Sequence, residues 1–178
     1  TTLNHTYFMF GDYERALQAS QQDFGYGTAL TLALLDRTPE AIAMLRQQED
    51  SSPWRLGRLF LTSMRALLEG NREESLQASG ELVRATFRDP EGLYYQARQL
   101  SYLGADDWAL EMFRRAVDHG FFCYQAFVRD PWLDRLRVKP AFPAIMQKAS
   151  HLHQEALRIF RSNVKDSLLG LAAENYDS

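Results

Sequence analysis

The residues of this 178-residue chain best suited to chemistry are four histidines, one cysteine and two adjacent pairs of carboxylates. His151 and His153 stand two apart in a stretch of helical character. On a helix their side chains point about 200° apart, so they cannot share a metal ion from one helix. They read as a solvated helix surface, and His119, near a predicted helix end, suits the negative pole of a helix better than catalysis. Glu73-Glu74 and Asp106-Asp107 fall at predicted helix starts, where capping and the helix dipole account for acidic residues. Gly25-Tyr26-Gly27 has no strand before it and no Lys-Ser/Thr after it, so it is not a phosphate loop. Cys123, inside the run Phe121-Phe122-Cys123-Tyr124, reads as a buried small hydrophobe with no cation or base nearby to activate it. No serine or cysteine lies in a nucleophile motif. The expectation is therefore a non-enzyme, with no catalytic residue, no metal site and no cofactor.

Composition narrows the remaining classes. Hydrophobic residues make up 46% of the chain, enough for one domain with a real core. Twenty basic residues against 23 acidic ones give a net charge of -3, without the basic surplus that a nucleic-acid footprint needs. A single cysteine forms no internal disulfide and implies no oxidising compartment. No apolar stretch approaches the roughly 20 residues that span a bilayer, and no signal-peptide pattern opens the chain, so a cytoplasmic setting without membrane contact is expected. The chain starts at Thr1 without an initiator Met, which suggests a piece of a longer protein.

What must position any functional residue is a repeat. Asp36-Arg37-Thr38-Pro39-Glu40-Ala41-Ile42, Gly70-Asn71-Arg72-Glu73-Glu74-Ser75-Leu76 and Gly104-Ala105-Asp106-Asp107-Trp108-Ala109-Leu110 begin at 36, 70 and 104, spaced by 34 both times. Each opens on a residue tolerant of left-handed backbone. Polar and acidic residues for a first helical turn follow, then a small residue, Ala41, Ser75 or Ala109. The segments before these turns are also helical in pattern, with small residues again 34 apart at Ala29, Ser63 and Ala97. Asp89-Pro90 reads as an N-cap and first helical residue. Each unit is thus helix, tight turn, helix. Gly11, 25 residues before Asp36, opens a similar but out-of-phase fragment, as if the array began upstream.

These motifs resemble the tetratricopeptide repeat (TPR) family, with the unit from Pro90 to Phe121 carrying Leu93, Ala97, Leu100, Gly104, Ala109, Phe113 and Ala116 in the family's signature places. Ser79 and Leu82 depart from it in the middle unit, where looser packing is expected. The resemblance implies a right-handed α-solenoid: a partial repeat at 1–21, repeats at 22–55, 56–89 and 90–123, a cap at 124–162 and a tail at 163–178. In the cap, Asp130-Pro131-Trp132-Leu133 predicts an extended turn and short helix. Lys139-Pro140-Ala141-Phe142 then opens a final helix to about Phe160, with Ile145, Ala149, Leu152, Ala156 and Ile159 on one face. Leu168, Leu169 and Leu171 suggest one more short helix in the tail. The closing segment is similar to that of TPR modules in bacterial signalling proteins, which accompany kinase, cyclase or DNA-binding domains.

In the TPR fold the first helix of each unit lines a concave groove. Carried over, that implies Tyr26, Leu30, Ala33, Phe60, Met64, Leu67, Tyr94, Arg98, Ser101 and Tyr102 as partner-binding residues. These places lack the Lys, Asn and Arg of TPR domains that clamp a C-terminal carboxylate. The expected partner is a protein or peptide with hydrophobic anchors, or a second copy of the chain, with Arg98 pairing to one acidic group of the partner. Three functions remain open: a regulatory interaction module of a bacterial signalling protein, a free-standing chaperone or adaptor for a secreted or unfolded client, and a small-molecule sensor using Tyr26, Phe60, Tyr94 and Tyr102.

Overall fold

The computed structural model describes residues 3–20, 25–85 and 87–164. Among them every regular element is a helix. Three consecutive helix hairpins form the body: α3 (Tyr26–Leu34) with α4 (Thr38–Ser51), α5 (Arg55–Leu68) with α6 (Arg72–Arg84), and α7 (Pro90–Tyr102) with α8 (Asp106–Asp118). The second helices start at 38, 72 and 106, so the 34-residue phase read from the sequence is the phase of the hairpins.

The turns show why. Asp36, Gly70 and Gly104 have φ of 59°, 78° and 75°. The amide after each reaches back across the turn: Arg37 to the Leu32 carbonyl (2.9 Å), Asn71 to Ala66 (2.8 Å) and Ala105 to Leu100 (2.9 Å). This left-handed termination satisfies carbonyls that the ending helix leaves open and reverses the chain within two residues. Asn71 and Asp89 cap their helices, accepting from the amides of Glu74 (3.2 Å) and Gly92 (2.8 Å). The small residues at 34-residue spacing, Ala29, Ser63, Ala97 and Ala41, Ser75, Ala109, are all wholly buried. Where α5 crosses α6, the Ser75 hydroxyl donates to the Ser63 carbonyl at 2.7 Å, an approach that a larger side chain would prevent.

The fragment at Gly11 is a short hairpin of the same kind, α1 (Leu3–Phe10) and α2 (Tyr13–Ala19), with Gly11 at φ 78° and Asp12 donating its amide to the Tyr7 carbonyl. At the other end the same turn recurs at Gly120, and a short helix follows that the sequence pattern did not signal, α9 (Tyr124–Arg129). The turn at Asp130 becomes one turn of 3₁₀ helix (Pro131–Leu133), then α10 (Asp134–Arg137) and the long α11 (Phe142–Val164). Asp106, at the start of α8, ties this cap down through Arg135 (3.1 Å) and Lys139 (2.6 Å). Phe142, Ile145 and Ala149 of α11 are buried and Leu152 is half-buried. From Gln154 to Ser162 every side chain is exposed, so Ala156 and Ile159 continue the expected stripe beyond the body it packs on. Ser79 and Leu82 are buried, and the Ser79 hydroxyl has no hydrogen-bond partner. The helix expected around Leu168–Leu171 lies outside the described residues. No described helix is long and apolar enough to cross a membrane.

Candidate functional site

The first helices of the three hairpins converge, and their shared face is filled by the chain itself. Phe8 of α1 and Trp132 of the 3₁₀ turn close over Arg98 from two sides, with ring centroids 5.5 and 4.7 Å from the guanidinium carbon. Six of the residues expected to line an open groove are consequently buried: Leu30, Met64, Leu67, Tyr94, Arg98 and Ser101. They face the interior, where α1 and the cap occupy the space that the family resemblance left empty. Ala33 is half-buried against the core.

Arg98 requires a correction as to partner. Its acid is internal: Nε and Nη2 donate to the Asp130 carboxylate at 2.6 and 2.9 Å, and both side chains are almost wholly buried. Asp130 also accepts from the Tyr94 hydroxyl (2.8 Å) and the Trp132 amide (3.0 Å). Burial opposes the charge on this carboxyl, but Arg98 and these donors outweigh it and hold the group below the usual carboxylate range. The pair locks the cap onto α7. A second polar knot joins the first helices. Gln99 donates to the Tyr26 hydroxyl and accepts from the Ser63 hydroxyl at 3.0 Å. Burial pushes the Tyr26 hydroxyl well up, so it remains a neutral donor and acceptor.

Three aromatic residues of the expected groove keep exposed surface. Tyr102 is 57% exposed and leans on Trp132, centroids 4.9 Å apart, away from the others. Tyr26 and Phe60 are half-buried and line a solvent-open cleft of about 630 Å³ between α1 and the starts of α3, α5 and α7. Its aromatic wall is continuous. Phe87 meets Phe60 at 4.9 Å, Phe60 meets Tyr26 at 5.8 Å, Tyr26 meets Tyr95 at 5.2 Å and Tyr95 meets Phe8 at 6.4 Å, all tilted or edge-to-face. Such contacts contribute about 0.5–1.5 kcal/mol each beyond area burial and make the wall stiff. Trp54, 58% exposed, stands at the rim.

Two glycines shape this wall. A Cβ at Gly57 would sit 2.7 Å from the Trp54 ring, and one at Gly92 would sit 2.3 Å from the Phe87 ring. Each aromatic folds back over the helix start that follows it, into space only glycine leaves. Sequence reasoning named Tyr26 and Phe60 but missed Phe8, Trp54, Phe87 and Tyr95. An aromatic followed at three to five residues by a glycine near a helix start was the available signal for two of them. The polar lining includes Asp89 and Glu91 at the start of α7, and His5, whose Nδ1 is 3.3 Å from Glu91 and 3.5 Å from the Tyr95 hydroxyl.

The carboxylate pairs take structural roles. Glu74 joins Glu49 and Glu69 around Arg65 at 2.5–2.6 Å, and Asp106 holds the cap, while Glu73 and Asp107 are exposed. His119 caps α8, its Nδ1 2.7 Å from the Arg115 carbonyl. His151 is exposed and His153 rests near Tyr124. Cys123 is half-buried among core aromatics, and burial pushes its thiol up, away from reactivity. Among the described residues no group of three or more His, Cys, Asp or Glu side chains has metal-holding geometry.

Among the described residues the elements define an all-helical protein of successive helix hairpins, with an aromatic-walled cleft at the starts of its first helices. The chain matches no protein-family model, no curated protein and no solved structure.

Proposed function

We propose that this chain is a protein-interaction module, the regulatory or scaffolding part of a larger bacterial signalling or transcription-regulating protein, built as a right-handed TPR-like solenoid. Its seat for an apolar partner segment is the cleft between α1, α3, α5 and α7. The single observation that supports this is the aromatic wall from Phe87 to Phe8, left open to solvent beside the exposed Trp54. A rigid aromatic surface with an indole at its rim is the composition that binding hot spots favour. The proposed role is binding, with no catalytic residue assigned.

Selection of peptides from a random library on the whole chain tests the reading. Enriched peptides should carry apolar anchors, and Phe60→Ala and Trp54→Ala should each weaken them at least tenfold. Peptides indifferent to both substitutions would refute the cleft as the seat. The reading frame around the chain tests the host: a frame that encodes no effector domain would favour a free-standing adaptor or chaperone instead.

A second reading, a small-molecule sensor, draws support from the cleft's volume, about 630 Å³, within the range of ligand pockets. A metabolite that raises the melting temperature of the wild type and not of Phe60→Ala would favour it.

A further inference from the structure

The charge of the cleft says more about its occupant than its apolar wall does. Among the described residues lining it there are six aromatic side chains, two carboxylates and no lysine or arginine. The chain as a whole is nearly balanced, with 20 basic and 23 acidic residues, so a 630 Å³ cleft with no lysine or arginine among its described lining residues is a local departure. The carboxylates, Asp89 and Glu91, stand on one side, at the start of α7. Asp89 also caps α7, which leaves Glu91 as the carboxylate best placed for a ligand. The Glu91 side chain is 38% exposed, and its one ion-pair partner is His5 at 3.3 Å. Tyr95 stands one turn along the same helix, and Tyr26, Phe60 and Phe87 line the same cleft.

We infer that this cleft binds an organic ammonium group, seated against the aromatic wall and paired with Glu91. Aromatic faces attract a cation through their negative quadrupole, most strongly where water is partly excluded. A carboxylate in the same cleft adds the opposite charge. An alkylated ammonium fits best, because its methyl groups meet the rings while its charge meets Glu91. His5 is the group the ligand displaces.

The inference deepens the proposed function by naming the chemistry of the anchor, and it rests on the cleft being the seat. Three probes on the whole chain test it: tetramethylammonium chloride, a short peptide carrying trimethyllysine, and the same peptide carrying norleucine. The readout is the Trp54 indole N–H resonance, assigned with Trp54→Phe, together with the melting temperature. The trimethyllysine peptide should shift the resonance saturably and bind about tenfold more tightly than the norleucine peptide. Glu91→Gln and Phe60→Leu should each weaken it about tenfold, and Tyr102→Ala should leave it unchanged. Tetramethylammonium binding as tightly as the peptide identifies a free ammonium ligand, and a tighter peptide identifies a side chain. Equal affinity for norleucine and trimethyllysine would overturn the cation and leave the apolar seat standing. No shift with any of the three probes at millimolar concentration would overturn the inference, whatever library selection then finds.

Discussion

Replacing Asp130 by Asn should unsettle the protein out of proportion to the two atoms exchanged. Asp130 is 4% exposed and accepts four hydrogen bonds, two from Arg98, one from Tyr94 and one from the Trp132 amide. Asparagine retains one acceptor oxygen but leaves the Arg98 guanidinium buried without a counter-charge. Its remaining nitrogen, Nη1, already has no hydrogen-bond partner and faces aromatic rings. Breaking such a pair costs about 3–5 kcal/mol, mostly the penalty of the orphaned charge. At about 2–4 °C per kcal/mol for a domain of this size, the melting temperature should fall by roughly 6–20 °C. Urea unfolding of Asp130→Asn, Arg98→Met and the double variant Arg98→Met/Asp130→Leu measures it. The double variant should recover most of the loss, because it removes both charges together. A single-variant loss below about 1 kcal/mol, or a double variant as damaged as the sum of the singles, would refute the reasoning. The pH dependence has a definite sign. The folded-state pKa of Asp130 lies below its unfolded value, so its contribution is complete above the ordinary aspartate range. It is lost as pH falls through the lowered value. Asp130→Asn should therefore show its largest deficit near neutrality and converge on the wild type in acid.

Three further outcomes follow from other contacts. Arg65→Gln removes the cation shared by Glu49, Glu69 and Glu74 and should cost about 2 kcal/mol at pH 7 in chemical denaturation. That deficit should shrink below about pH 4, because Arg65 and Arg46 hold Glu69 below its ordinary range against the opposing effect of burial. Gly70→Ala places a side chain at φ 78° in open space, so strain alone should lower stability by about 1–2 kcal/mol, while Asp36→Gly at the matching turn should not destabilise; thermal unfolding reads both. Asp106→Asn should loosen the cap through Arg135 and Lys139, seen as faster amide hydrogen exchange in α10 and the first turns of α11 with α3 to α6 unchanged.

Local chemistry wrote much of the fold into the chain. The turns at 36, 70 and 104, the small residues at 29, 63, 97 and at 41, 75, 109, and the cap at Asp89-Pro90 were all legible, because each is set by a backbone conformation or a helix–helix distance that few residue types satisfy. The phase of the hairpins follows from these alone. Where the first helices would look was not legible. Their apolar and aromatic positions suit an open groove and a buried core equally, and periodicity does not tell one from the other. Only the tertiary structure decided it, by bringing Phe8 from one end of the chain and Asp130 with Trp132 from the other onto Arg98. Those contacts span 32 to 90 residues of sequence, and they offset the desolvation of one guanidinium with a carboxylate and two aromatic rings. The aromatic cleft is decided the same way. Trp54 and Phe60 belong to the start of α5 and Phe87 and Tyr95 to that of α7, and they become one wall because the two starts meet at the same cleft and glycines 57 and 92 leave room for the Trp54 and Phe87 rings.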